Sequence, residues 1–135
     1  MEIRNYNPSN YREVREILEA GKLFYEVCDS EKNLERKIQK EPDSILVAVE
    51  DGRVVGTAFI ISGFIPFIFR LAVHPNYRNR GIGMKLMQFA EQVLKEKGHS
   101  HANILLAVND EELQKLYERH GYEKGNTYVW MEKKL

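Results

Sequence analysis

The stretch HPNYRNRGIGMKL, His74 to Leu86, joins an apolar run to the most regular amphipathic segment of the chain. Its order is strand, a turn at His74 to Tyr77, then Arg78-Asn79-Arg80-Gly81-Ile82-Gly83, then helix. Backbone N–H groups of a glycine-containing turn converge on an anion, the helix dipole adds partial positive charge, and Arg78 and Arg80 supply formal charge. Gly81 and Gly83 carry no side chain to block close approach, so a diphosphate is the natural guest. No lysine and serine or threonine follow the glycines as in a nucleotide-hydrolysing P-loop, and their spacing is too short for the dinucleotide fingerprint. For these six residues alone the other reading is a structural turn, with Arg78 and Arg80 as solvated surface arginines.

Outward from this stretch, the pattern alternates. Arg80 to Lys97 carries Ile82, Leu86, Met87, Ala90, Val93 and Leu94 on one face and stops at Gly98, which predicts a helix. Upstream, the run from Phe64 to Val73 is broken by Pro66, so strand is firmest from Phe67 onward. Ser44 to Glu50 and Arg53 to Ser62 flank Asp51-Gly52 and predict an antiparallel hairpin. Met1 to Tyr6 reads as a short strand, and Asn7 to Asn10 as a turn capping a helix from Tyr11 to Ala20 that ends at Gly21. Leu23, Phe24, Tyr25 and Val27 crowd Lys22 to Asp29, either shaping a pocket or burying a connector. Ser30 or Asp29 caps a second, more polar helix reaching about Gln39. Downstream, Ala102 to Val108 predicts a strand, Asn109-Asp110 caps a helix stopped by Gly121, and Tyr122 to Lys124 pairs with Thr127 to Glu132 as a terminal hairpin.

A chain of 135 residues with 43% hydrophobic residues fits one domain, residues 1–135, with one core. Lys plus Arg and Asp plus Glu balance at 20 each, so no global field recruits nucleic acid or an anionic membrane, and a charged ligand needs a local cluster. The single cysteine, Cys28, forms no internal disulfide and has no zinc-site spacing around it, which leaves it a structural role and no metal. No run approaches the roughly 20 apolar residues of a membrane span. The first ten residues lack a signal-peptide core, and a cytoplasmic location is expected.

The run Leu71-Ala72-Val73-His74-Pro75-Asn76-Tyr77-Arg78-Asn79-Arg80-Gly81-Ile82-Gly83 resembles the signature of the GCN5-related N-acetyltransferases (GNAT), in which an R-x-x-G-x-G turn binds the acyl-CoA diphosphate. The resemblance extends to Ala107-Val108-Asn109 at a strand end and to Leu116-Tyr117-Glu118-Arg119-His120-Gly121-Tyr122, similar to that family's "LYE..GF" segment. It covers roughly residues 54–135; the first 40 residues match only the general layout. It implies an α/β (α+β) fold, a mixed, mostly antiparallel central sheet flanked by about four helices. It also implies acetyl-CoA as cosubstrate and a small-molecule or peptide amine as acceptor, with the protein a monomer or homodimer.

The resemblance carries roles onto particular residues. Leu71, Ala72 and Val73 would lie along the pantetheine arm, with the Val73 N–H near the thioester oxygen. Arg78, Asn79, Arg80, Gly81, Ile82 and Gly83 would bracket the diphosphate. Tyr117 would donate a proton to the departing thiolate; the other reading is a core tyrosine beside Leu113 and Leu116. Asn109 would hydrogen-bond the cofactor arm, or serve as an ordinary helix cap. Family members often carry a glutamate or histidine base on the strand before the turn, on the face that here holds Phe67 and Phe69, neither of which accepts a proton. Arg70 falls on the opposite parity and stays cationic. Deprotonation then runs through water to a backbone carbonyl, or through a remote carboxylate such as Glu26. Structural or surface roles suffice for His74, His99, His101 and His120. The rival function is a non-catalytic acyl-CoA-binding or sensing module; a third is an unrelated phosphate-binding scaffold.

Overall fold

Asp51 and Gly52 both take positive φ, 52° and 74°, the geometry of a tight two-residue hairpin turn, and they join the two central strands. A computed structural model of the chain describes residues 1–135. Strand β1 (Glu2–Asn5), β2 (Ile45–Glu50), β3 (Arg53–Ile61) and β4 (Phe67–Val73) form one sheet in the order β1-β2-β3-β4, every pairing antiparallel. A single parallel bridge, Phe67 with Asn103, adds the mixed element. The helices are α1 (Tyr11–Ala20), the one-turn α2 (Glu26–Asp29), α3 (Glu31–Lys40), α4 (Ile82–Glu96) and α5 (Glu111–Arg119). No helix is long and apolar enough to cross a membrane. The chain divides into two units, Met1–Ile104 and Leu105–Leu135.

In the first unit the sheet is buried on both faces. Val14, Ile17 and Leu18 of α1 and Leu34 of α3 close over Ile45, Val47, Phe59 and Ala72 on one side. Ile82, Leu86, Met87, Ala90, Val93 and Leu94 of α4 cover the other, as their spacing predicts. The helix ends follow local chemistry. Asn7 accepts from the Ser9 N–H ahead of α1, Ser30 accepts from the Asn33 N–H at the start of α3, and Gly98 takes a φ of 94° after α4.

Helix α4 rides close on β3 at Gly56. A Cβ there would lie 2.9 Å from Leu86 Cδ1 and 3.3 Å from the Ala72 carbonyl oxygen. Gly56→Val should therefore lower stability by about 1–3 kcal/mol, because the backbone contact cannot yield as a side-chain tip can. Urea unfolding with an unchanged midpoint would contradict this packing.

Two expected elements do not form. Ala102 to Val108 makes only the Asn103 bridge, where the Ile68 N–H donates to the Asn103 oxygen (2.9 Å) and the Asn103 N–H to the Pro66 oxygen (3.0 Å). Residues 122–132 contain no strand, and Tyr128 to Met131 are exposed. Apolar and β-branched composition marks strand-compatible chain, but a strand exists only where a ladder partner satisfies its N–H and C=O groups. Cys28 is exposed and therefore packs into no core.

Candidate active site

The turn after β4 is built by its own side chains. His74 Nδ1 accepts from the Asn76 N–H at 3.1 Å, the Tyr77 N–H donates to the His74 oxygen at 2.9 Å, and the two rings meet edge to face. Arg78 folds back, its Nε donating to the Val73 carbonyl at 3.1 Å. Arg80 sits over the Tyr77 ring, 5.0 Å from its centroid, with Glu50 3.9 Å away. Asn79 and Gly81 take φ of 63° and 78°, so the chain reverses twice around Arg80 before entering α4. Both arginines are exposed, while Ile82, at the first helical position, is buried and anchors the helix.

No side chain caps α4. The first N–H groups of a helix need an external acceptor, and here Arg78 and Arg80 immediately precede them in the chain. A Cβ on Gly81 would meet nothing within 4 Å, and one on Gly83 would touch only Val73 Cγ2 at 3.7 Å. The protein itself thus leaves open the space at this helix start, and an anionic diphosphate fits the uncapped donors and the charge. Leu71, Ala72 and Val73 lead into the turn along β4, whose outer edge beyond the Asn103 bridge has no strand partner in this unit.

Strand β4 departs from simple alternation. Its pairing runs from Thr57 with Ala72 to Phe59 with Phe69, so it carries one extra residue, and Arg70 has a φ of 53°, the only positive value inside a strand. This bulge brings both Phe69 and Ala72 to the α1/α3 core, although they are three residues apart. The expected parity of Arg70 therefore does not hold. Its Nε donates to both carboxylate oxygens of Asp29, at 3.1 and 3.2 Å, and Asp29 is only 2% exposed. Asp29 also accepts from the Tyr25 N–H (2.9 Å), and its carbonyl accepts from the Tyr11 hydroxyl (3.0 Å). The crowded segment before α3 is thereby pinned to the bulge, with Leu23 and Phe24 against the core and Tyr25 and Val27 exposed.

Phe69 packs edge to face on Phe59 at 5.6 Å, so it is a core residue. Glu26 is exposed and lies 3.9 Å from Arg15 on α1. The Arg70–Asp29 pair spans 41 residues and has no local sequence signature, so sequence reasoning missed it.

In the second unit, Asp110 caps α5, accepting from the Leu113 N–H at 3.1 Å; Asn109 is not the cap. Gln114 donates to the carbonyls of Ala107 and Val108 and holds this segment over the helix start. Tyr117 is buried, and burial pushes its phenol above the ordinary value, keeping it protonated. Its ring meets Tyr122 edge to face.

Comparison with known proteins agrees with this architecture. The family described as "Acetyltransferase (GNAT) family" matches residues 11–122. An acetyltransferase of Sodalis glossinidius is 32% identical over 138 residues, covering 100% of this chain and 96% of its own length. An acetyltransferase of Yersinia pestis is 31% identical over 130 residues, covering 96% and 92%. Among solved structures, the PaiA N-acetyltransferase of Thermoplasma acidophilum in complex with coenzyme A superposes with a TM-score of 0.80 at 19% identity, over 94% of this chain and 92% of that one. At that identity the likeness speaks to the fold alone. With a family match over most of its length and relatives above 30% identity along nearly the whole chain, this protein belongs to the acetyltransferase (GNAT) family.

Proposed function

We propose that the protein transfers an acetyl group from acetyl-CoA to a primary amine by direct attack in a ternary complex. The observation that carries this reading is the uncapped start of α4, open at Gly81 and Gly83 and flanked by Arg78 and Arg80. In this reading the diphosphate takes the α4 N–H groups, and the pantetheine arm runs along Leu71, Ala72 and Val73. Asn109, which capping leaves unused, hydrogen-bonds the arm. Tyr117, kept protonated by burial, gives its proton to the departing thiolate. The coenzyme A held by the Thermoplasma acidophilum relative of the same fold supports the choice of donor.

No side chain of β4 can serve as a base. A lysine amine, with a pKa of about 10.4, is almost wholly protonated at neutral pH, whereas an α-amine near 7.7–8.0 is neutral in a substantial fraction. The acceptor is accordingly an α-amine or a similarly weak base. Activity should rise from about pH 7 to 9 as the free amine accumulates. Because the Tyr117 phenol is shifted upward, it remains protonated over that range and adds no loss on the alkaline side. Steady-state rates with α-amine and ε-amine probes across this range check the reading. A clear preference for ε-amines at pH 7, or a lower pKa that vanishes in Glu26→Gln, would contradict it.

The second reading, binding of acyl-CoA without turnover, is favoured by one observation, the packing of Phe69 into the core where a base would be useful.

A further inference from the structure

The bulge on β4 gathers charge as well as strain. Arg70 Cζ lies 5.9 Å from the centroid of the Phe69 ring, and Lys37 Nζ, reaching in from α3, lies 5.4 Å from it. Lys37 donates to the Ile60 carbonyl at 2.6 Å, and Arg70 is held through Nε by Asp29. Asp29 thus engages one edge of the guanidinium, and the two Nη groups donate to no acceptor in the chain, while the Arg70 side chain is 22% exposed. Two cations lie within 6 Å of one half-buried ring, and of the two Asp29 is bonded to Arg70 alone. Glu41, the carboxylate that acts on Lys37, is engaged by Ser62 and Lys97. Burial lowers the pKa of Lys37, so a neighbouring anion would favour its charged form.

The arrangement is costly in two ways. A left-handed backbone suits glycine and not arginine, and a buried carboxylate loses its hydration. A strained residue at a bulge beside a reaction centre points to a functional constraint. Arg70 also immediately precedes Leu71, Ala72 and Val73, the segment given to the thioester arm.

We infer that the acceptor amine also carries a carboxylate, which seats on the Nη groups of Arg70 with Lys37 as a second cation near the same Phe69 ring. Asp29 is a positioning residue that aims Arg70. This inference rests on the transfer reading and names the class of its acceptor: amines with an acidic group a few bonds away.

The test is equilibrium binding of short peptides beginning with glutamate, against isosteric peptides beginning with glutamine, to the protein saturated with CoA. The amines are nearly equal in basicity, so only the carboxylate differs. The wild-type protein should bind the glutamate peptide about 10- to 100-fold more tightly, the effect of one or two charged hydrogen bonds. The paired substitution Arg70→Gln with Asp29→Asn, which leaves no lone buried charge, should bring the ratio below about threefold with CoA affinity unchanged. Lys37→Gln alone should reduce it in part, and serves if the paired variant does not fold. Equal binding of the two peptides by the wild type, or a preference that survives the paired substitution, overturns the inference. Acetyl transfer with no such preference overturns it alone. The preference without any transfer overturns the transfer reading and leaves the anion seat standing.

Discussion

Gly83→Val is expected to weaken CoA binding by at least about a hundredfold, the loss of two or more charge-assisted hydrogen bonds from helix N–H groups to the diphosphate. The variant is a clean probe. Gly83 lies in the first turn of α4 without a positive φ, and its added Cβ would meet only Val73 Cγ2 at an ordinary 3.7 Å. The fold should therefore survive, and the side chain should fill only the space a ligand would occupy. Gly81→Val should have the same effect on binding, but its φ of 78° adds backbone strain, so unfolding must be measured alongside. Calorimetry with CoA, and with an acetyl donor truncated before the diphosphate, separates the causes: only the full donor should lose affinity sharply. Unchanged CoA affinity in folded Gly83→Val would remove the diphosphate from this turn.

Much of this turn is legible in the sequence because its determinants are local. Two glycines, two arginines and an apolar period of 3.6 after them specify an open helix start wherever they fold. Asp51-Gly52 is equally local, and the hairpin it predicts is present. The bulge at Arg70 is different. Nothing in Phe67 to Val73 announces an extra residue, and counting by twos put Arg70 on the wrong face; the shift is defined by register against β3. The Arg70–Asp29 pair and the approach of Lys37 to Phe69 join distant segments, so no spacing rule could find them. The capping of α5 shows a smaller limit. Asn109 and Asp110 are both good caps, and only the geometry assigns the role to Asp110, which leaves Asn109 available. Ala102 to Val108 and Tyr122 to Glu132 have strand composition without a strand, since pairing is decided by what lies alongside.

Tyr117→Phe carries the second large effect. The substitution keeps the ring that packs on Tyr122 and removes only the hydroxyl, so stability and donor affinity should change little. Turnover should fall by about a hundredfold or more, the usual contribution of a positioned general acid. Burial holds the Tyr117 phenol above its ordinary pKa, so it is fully protonated at neutral pH and available as a donor. A donor whose leaving group needs no protonation should suffer less from the substitution than the natural thioester does. A turnover loss under about threefold with acetyl-CoA would make Tyr117 a core residue and nothing more.

Incubating the protein with acetyl-CoA and a panel of α-amines, and measuring free CoA thiol and N-acetyl product in the same samples, shows whether the donor held at α4 gives up its acetyl group to an amine. Both should accumulate in equal amounts, only when amine is supplied, and faster at pH 9 than at pH 7. Tight binding of acetyl-CoA with no amine-dependent thiol or product across the panel would contradict the transfer reading and leave a binding module in its place.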